Sequence, residues 1–201
     1  MIRFHDKIVI LGLILNNKYK FGFVHIPKTG GRTLTHLLLK IDESTEVTSH
    51  HGLSLLPDDS SYFYFTVVRN PFTRMVSAYK HECRKFGYVQ FDKFLKNTNE
   101  TNPWYIPQEY YITSGVSKNR KISKILKYEN YENEVRQVLK DINHPNYDKL
   151  PHLNRNPIYD RHPGLNYKKY CKHFYTEEWM KDFIRERYEN DFKIFNYGMD
   201  I

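Results

Sequence analysis

Two stretches of the chain share one rhythm: an unbroken apolar run, a short turn broken by Pro or Gly, then apolar residues at helical spacing. The first is Phe21–Lys40. Phe21 to Ile26 is short and suits a strand. Pro27 cannot donate to a ladder and ends it. Lys28-Thr29-Gly30-Gly31 forms a tight loop, and Leu34, Leu37, Leu38 and Ile41 then predict a helix from near Arg32. The second is Tyr62–Tyr79. Tyr62 to Val68 is apolar throughout, as in a parallel strand covered on both faces. Asn70 is a good N-cap, Pro71 fits the first helical position, and Phe72, Met75, Val76 and Tyr79 make the buried side of a helix.

The remaining pattern is plainer. Ile122–Tyr128 predicts a third parallel strand. Tyr131–Ile142 predicts an amphipathic helix with Val135, Val138, Leu139 and Ile142 inward. Phe91–Leu95 reads as a short helix. A last helix is capped by Thr176, carries Glu177 and Glu178 in its first turn, and buries Trp179, Phe183, Ile184 and Tyr188. Residues 42–61, 97–107 and 144–169 read as loops, the second holding Trp104 and Tyr105. Ile8–Leu15 is apolar but too short to span a membrane, and reads as an extra strand or a buried segment. No repeat is evident, and 201 residues fit one domain, 1–201. The expected fold is three-layer α/β with a small, mostly parallel central sheet of about four or five strands.

Strand, glycine loop and helix together present bare N–H groups and a positive helix end to an anion. The glycines allow close approach, Lys28 adds a charge, and Thr29 and Thr33 add hydroxyls. An ordinary turn with a solvated lysine explains that segment alone equally well. The loop is not a Walker A motif, because Lys28 precedes both glycines. In the second unit, Arg69 stands where open α/β sheets bind ligands, and Arg69 and Ser77 together suit one phosphate. Arg74 and Ser77 are three apart and share a helix face. Between the two units lie His50 and His51, a residue type that accepts a proton near neutral pH. Either serves as a base, with Glu129 and His152 as alternatives.

Composition narrows the partners. A net charge of +8 favours an anionic one. Seventeen Tyr and thirteen Phe argue against disorder. Cys83 and Cys171 have no metal-ligand spacing and read as reduced thiols, and no motif predicts a metal site. No signal peptide or membrane span is evident, which predicts a cytoplasmic protein.

His25-Ile26-Pro27-Lys28-Thr29-Gly30-Gly31, followed by Arg69-Asn70-Pro71 and on to Ser77-Ala78-Tyr79, resembles the sulfotransferases that use 3′-phosphoadenosine 5′-phosphosulfate (PAPS). The carbohydrate branch, with heparan sulfate 2-O-sulfotransferases and their small bacterial relatives, is the most similar. The resemblance implies a P-loop-like sulfotransferase fold and PAPS as sulfuryl donor without a metal. It implies a carbohydrate or other hydroxyl-bearing acceptor, and no specific nucleic acid. By it, Lys28, Thr29, Gly30, Gly31, Arg32 and Thr33 meet the 5′-phosphosulfate, and Arg69 and Ser77 the 3′-phosphate. Arg32 departs from relatives with a small hydroxyl residue there, which shifts that contact to Thr33. Arg155 lies in a segment resembling a loop that closes over the nucleotide, and relatives place a catalytic histidine where His50 and His51 stand. Phe91–Leu95, Gln108 with Tyr111, and Asp191-Phe192 also resemble family segments. Two rival readings are a nucleotide phosphotransferase, which lacks its Walker lysine here, and a non-catalytic binder of an anionic glycan or nucleic acid.

Overall fold

Phe23 and Phe65 meet at the centre of a five-stranded sheet, ring centroids 5.3 Å apart. They are register partners in the parallel pair formed by β2 (Phe21–Val24) and β4 (Phe63–Val68). The computed structural model describes residues 12–48, 52–99, 101–144, 147 and 166–201. With β1 (Gly12–Asn16), β3 (Ser44–Thr48) and β5 (Lys124–Lys127), the strand order is β3-β1-β2-β4-β5. β4 and β5 are parallel, and β1 is antiparallel to both its neighbours. β1 alone therefore runs against the rest, and the sheet is mostly parallel as expected.

Helices cover both faces, so the fold is the three-layer α/β arrangement read from the pattern. On one face, Leu34, Leu37 and Leu38 of α1 (Gly31–Leu38) and Val135, Val138 and Leu139 of α5 (Tyr131–Asp141) bury Phe21, Phe23, Phe65, Val67 and Leu126. On the other, Val24, Ile26, Tyr64 and Val68 pack on Leu53, Leu56, Phe195 and Tyr111, the last from α4 (Gln108–Thr113). Beyond them α2 (Pro71–Phe86) gathers α3 (Phe91–Lys96), α6 (Tyr167–Lys172), α7 (Glu178–Arg187) and α8 (Glu189–Ile194) around Phe72, Met75, Val76 and Tyr79. Cys83 and Cys171 are free thiols.

The described end of the N-terminal apolar stretch is β1, the strand between β2 and β3, so of the two readings the extra strand holds. Other elements differ from the pattern. Ser44–Thr48, read as loop, is an edge strand. Its Thr45, Val47 and Thr48 are β-branched, and pairing with β1 supplies the ladder that a five-residue polar strand needs. β5 is shorter than 122–128, although Ser123 still donates to the Tyr64 carbonyl at 2.7 Å. α7 starts at Glu178, with Glu177 rather than Thr176 at its N-cap.

α4 is held from afar. Its N-cap is Pro107, which has no side-chain acceptor to offer. The buried Asp191 carboxylate fills that role from α8, accepting from the Gln108 N–H at 2.9 Å, the Glu109 N–H at 2.8 Å and the Gln108 Nε2 at 3.1 Å. An acidic group at a helix start is favourable in itself. Burial raises the Asp191 pKa from its ordinary value, although Arg74 and the donated hydrogen bonds oppose the shift. Asp191→Ala would leave two amide N–H groups and a side-chain amide without their acceptor. Since an orphaned buried donor costs about 1–3 kcal/mol, the variant is expected to lose about 2–4 kcal/mol in urea unfolding, and Asp191→Asn less. A loss below about 0.5 kcal/mol would show that water replaces the carboxylate.

Candidate active site

The loop after β2 turns its carbonyls inward. Thr29 Oγ1 donates to the Ile26 oxygen at 2.8 Å, Arg74 Nε to Pro27 at 3.1 Å, Arg69 Nη1 to Lys28 at 3.2 Å and Tyr131 OH to Gly30 at 3.1 Å. With these acceptors engaged inside, the loop offers its amide side to a ligand. The first N–H groups of α1 have no intrahelical acceptor and add to that positive surface. Two residues take left-handed backbone to make the turn, Gly30 at φ 84° and Lys28 at φ 67°. The second is costly for a residue with a Cβ, and such conformations cluster at functional sites. Gly31 is required for another reason. A Cβ there would sit 2.3 Å from the buried His25 ring. Burial first, then Arg32 and Lys28, push His25 down to about 4, so it is a neutral packing group under the helix start.

Thr29 is fully buried and its hydroxyl braces the loop, so its N–H rather than its side chain is what it presents. Thr33 is also buried, while Arg32 is exposed at the helix start.

The turn after β4 is the other half. Asn70 caps α2 by accepting from the Phe72 N–H at 3.0 Å, and Pro71 follows as the first helical residue. Arg69 is buried. Its Nε donates to Thr73 Oγ1 at 3.1 Å, and its guanidinium carbon lies 4.1 Å from the Tyr128 ring centroid and 4.9 Å from that of Tyr167. Gln108 brackets its backbone, accepting from the Arg69 N–H and donating to the Arg69 carbonyl, both at 2.8 Å. This packing fixes the guanidinium direction with little entropy left to lose on binding an anion.

Arg74 takes a different part. It is buried, and besides Pro27 it binds the Ile106 carbonyl at 2.9 Å through Nη1. Sharing a helix face with Ser77 therefore does not put it in the site; it clamps two loops. Ser77 is half-buried on the next turn of α2. Glu129 accepts from the Asn70 N–H at 2.9 Å and from Tyr197 OH at 2.8 Å, so both its oxygens are engaged. That makes it a poor alternative base.

The Lys28 amine lies 5.7 Å from the Trp104 ring centroid. Burial and then Arg84, Arg69 and Arg32 push its pKa down to about 7, with Glu82 pulling the other way. The same Trp104 ring meets the His81 imidazole edge-on at 4.4 Å. Burial, Lys28, Arg84, Arg32 and Lys85 push His81 down to about 4. The sequence reading named Trp104 in its loop but missed His81, Glu82 and Arg84. The available signal was spacing: His81 stands four residues after Ser77, on the same face of α2. His50, His51, His152 and Arg155 lie outside the described residues, as do residues 1–11.

Among the described residues, no group of three or more His, Cys, Asp or Glu is placed to hold a metal ion. Among them also, no helix is long and apolar enough to cross a membrane. The arrangement suits binding of a polyanion and stabilisation of charge on its oxygens.

A family model described as "Sulfotransferase family" matches residues 12–198, and the chain belongs to the sulfotransferase family. No curated protein and no solved structure matches it.

The Lys28 amine provides a test of the site. With a pKa of about 7 it is mostly neutral at pH 8. An anion seated in the loop would return it toward the ordinary lysine value, so binding would take up close to one proton. Calorimetry of adenosine 3′,5′-bisphosphate at pH 8, in buffers of different ionisation enthalpy, is expected to read that uptake in the native protein and not in Lys28→Met. Affinity is expected to fall as pH rises above about 7. Equal uptake by both proteins would put the lysine out of reach of the anion.

Proposed function

We propose that this member of the sulfotransferase family transfers the sulfuryl group of PAPS to a hydroxyl of a carbohydrate acceptor. The observation that carries the reading is the loop after β2. Its carbonyls are tied inward by Arg69, Arg74 and Tyr131, and its one lysine stands among Arg84, Arg69 and Arg32 with its pKa depressed by burial first and then by their charge. A site so over-supplied with positive charge is matched by a donor with several negative ones.

The roles follow from position. The loop amides from Lys28 to Thr33 would hold the 5′-phosphosulfate, with Arg32 adding charge at the helix start. Arg69 and Ser77 would hold the 3′-phosphate. As the sulfur–oxygen bond to the nucleotide breaks, charge builds on the oxygen of the departing adenosine 3′,5′-bisphosphate. Lys28, protonated once the donor is bound, would stabilise that charge without reorganisation. Sulfuryl transfer is similar to phosphoryl transfer in demanding little beyond alignment and charge stabilisation. The net charge of +8 also accords with an acceptor that carries negative groups.

A radiolabelled-PAPS screen over glycans and small alcohols tests the activity, and calorimetry of adenosine 3′,5′-bisphosphate against ATP tests the donor. Tighter binding of ATP, with no sulfuryl transfer, would overturn the reading in favour of a phosphotransferase. Binding of glycans with neither nucleotide would favour a non-catalytic binder.

Two variants separate the roles. Charge-assisted hydrogen bonds contribute about 1.5–3 kcal/mol, so Arg69→Ala is expected to weaken PAPS binding roughly 10- to 150-fold. That change also removes the donor to the Lys28 carbonyl. Adenosine 5′-phosphosulfate, which lacks the 3′-phosphate, is the control for loop disturbance, and equal losses for both nucleotides would remove Arg69 from the 3′-phosphate. Lys28→Ala is expected to lower kcat about 100-fold or more, as when one transition-state donor is removed. Unchanged kcat with a raised KM would make Lys28 a binding group only.

A further inference from the structure

We propose that the cavity at the C-terminal end of α2 seats one sugar ring of the acceptor, and that this ring bears no acid group. The proposal rests on the sulfotransferase reading above and names the part of the acceptor that binds there. The cavity has a volume of about 280 Å³ and lies between α2, α3 and the loop that follows α3. Pockets for drug-sized ligands hold roughly 300–1,000 Å³, so this one suits a single ring rather than a chain of them.

Its lining is a sugar-binding one. Phe86 and Tyr88 stand on either side of Gly87, where α2 ends, and they are 69% and 82% exposed. Gly87 takes left-handed backbone at φ 95°, while its N–H still donates to the Cys83 carbonyl at 3.1 Å. The chain therefore turns sharply between the two rings, and both line the cavity. A pyranose carries C–H bonds on its faces, and these stack on the electron-rich face of an aromatic ring. Two aromatic rings left in water at a concave site mark a ligand surface.

The polar groups are few and held. Tyr105 OH donates to Glu82 Oε1 at 2.7 Å, and among the described residues that is the carboxylate's one hydrogen bond. Glu82 Oε2 is left to accept from a sugar hydroxyl. Burial first, and then Glu82, raise the Tyr105 pKa, so its hydroxyl remains a donor. Asn97 donates through Nδ2 to the Lys93 carbonyl at 2.9 Å, which leaves its amide oxygen as a second acceptor. Arg187 of α7 binds the Thr98 hydroxyl at 2.8 Å and the Asn99 carbonyl at 2.7 Å, so this wall is fixed before a ligand arrives.

Charge decides which sugar fits. Among the described residues Glu82 is the one charged group in the lining, in a chain of net charge +8. Its carboxylate would repel a uronate or a sulfated ring, whereas sugar hydroxyls donate to it. Arg84 and Lys85 are exposed on the last turn of α2, just before Phe86. Acid groups elsewhere on the acceptor would meet these cations, outside the cavity. The seat also adjoins the candidate active site. Tyr105 follows Trp104, whose ring centroid is 5.7 Å from the Lys28 amine. A ring held here anchors the acceptor beside the loop after β2.

Saturation-transfer NMR with lactose, maltose and N,N′-diacetylchitobiose tests the seat directly, and PAPS-dependent kinetics test its role. The native protein is expected to bind these neutral disaccharides, and their uronic-acid counterparts are expected not to displace them. Phe86→Ala and Tyr88→Ala are each expected to raise acceptor KM about 3- to 10-fold. Both should keep kcat at saturation and nucleotide affinity within about threefold of the native protein. Both side chains are exposed, so the fold does not depend on them. Glu82→Gln keeps an acceptor for Tyr105 and removes the charge, so uronic acids are expected to compete in that variant. Unchanged KM in the Phe86→Ala, Tyr88→Ala double variant would overturn the proposal and leave the sulfotransferase reading intact. So would uronic acids that compete equally well in the native protein and in Glu82→Gln. Transfer to tyrosine peptides and to no sugar would overturn the proposal together with the carbohydrate acceptor. Binding of neutral sugars through these rings, in a protein that transfers no sulfuryl group, would keep the seat and overturn the transfer reading.

Discussion

Two arginines from one turn hold the carbonyls of another. Arg69 and Arg74 flank the start of α2, and they donate to the Lys28 and Pro27 oxygens of the loop before α1. This cross-tie sets the loop's polarity. A loop whose oxygens faced the ligand would repel an anion; with the oxygens engaged behind, the amides face it instead. It also couples two elements that sit on adjacent parallel strands, β2 and β4, so the spacing between the loop and the α2 face follows from the sheet ladder. Burying two guanidinium groups is expensive unless their donors are satisfied. The carbonyls of Pro27, Lys28 and Ile106, the Thr73 hydroxyl and the rings of Tyr128 and Tyr167 offset much of that cost. Among the described residues two guanidinium donors, Arg74 Nη2 and Arg187 Nε, are buried without a hydrogen-bond partner.

The same packing explains the electrostatics. Burial discourages the Lys28 proton first, and Arg84, Arg69 and Arg32 add to that. A folded protein tolerates such repulsion where the charges meet a ligand of opposite sign, and the left-handed backbone at Lys28 is a second local strain in the same place. The loop gives up stability to keep its charge and its geometry ready.

How much of this was legible depended on range. The two strand–turn–helix units were readable because their signals are local: an apolar run, a Pro or Gly break, and leucines or aromatics at helical spacing. Asn70 and Pro71 announced the start of α2 for the same reason. β3 was not readable, since a short polar edge strand owes its state to the ladder with β1. α4 was missed because its capping carboxylate is 83 residues away. The two arginines of the second turn looked alike in sequence, and only tertiary packing separates Arg69, stacked between tyrosines, from Arg74, turned into the core. His81 lay two residues past Tyr79, the last position named on the buried side of that helix. What makes it distinctive is Trp104, contributed by a loop with no periodicity of its own.

The lock formed by Asp191, Gln108 and Arg69 has a consequence for how the protein is made. The loop and α2 are translated early, yet Gln108 is pinned by a carboxylate 83 residues further on. At about 5–20 residues per second, a ribosome needs on the order of ten seconds to add that interval. During that time the nascent chain carries its cationic loop without the brace that orients Arg69. Until Asp191 is added, an anion meets an unshaped basic segment in place of the ordered loop.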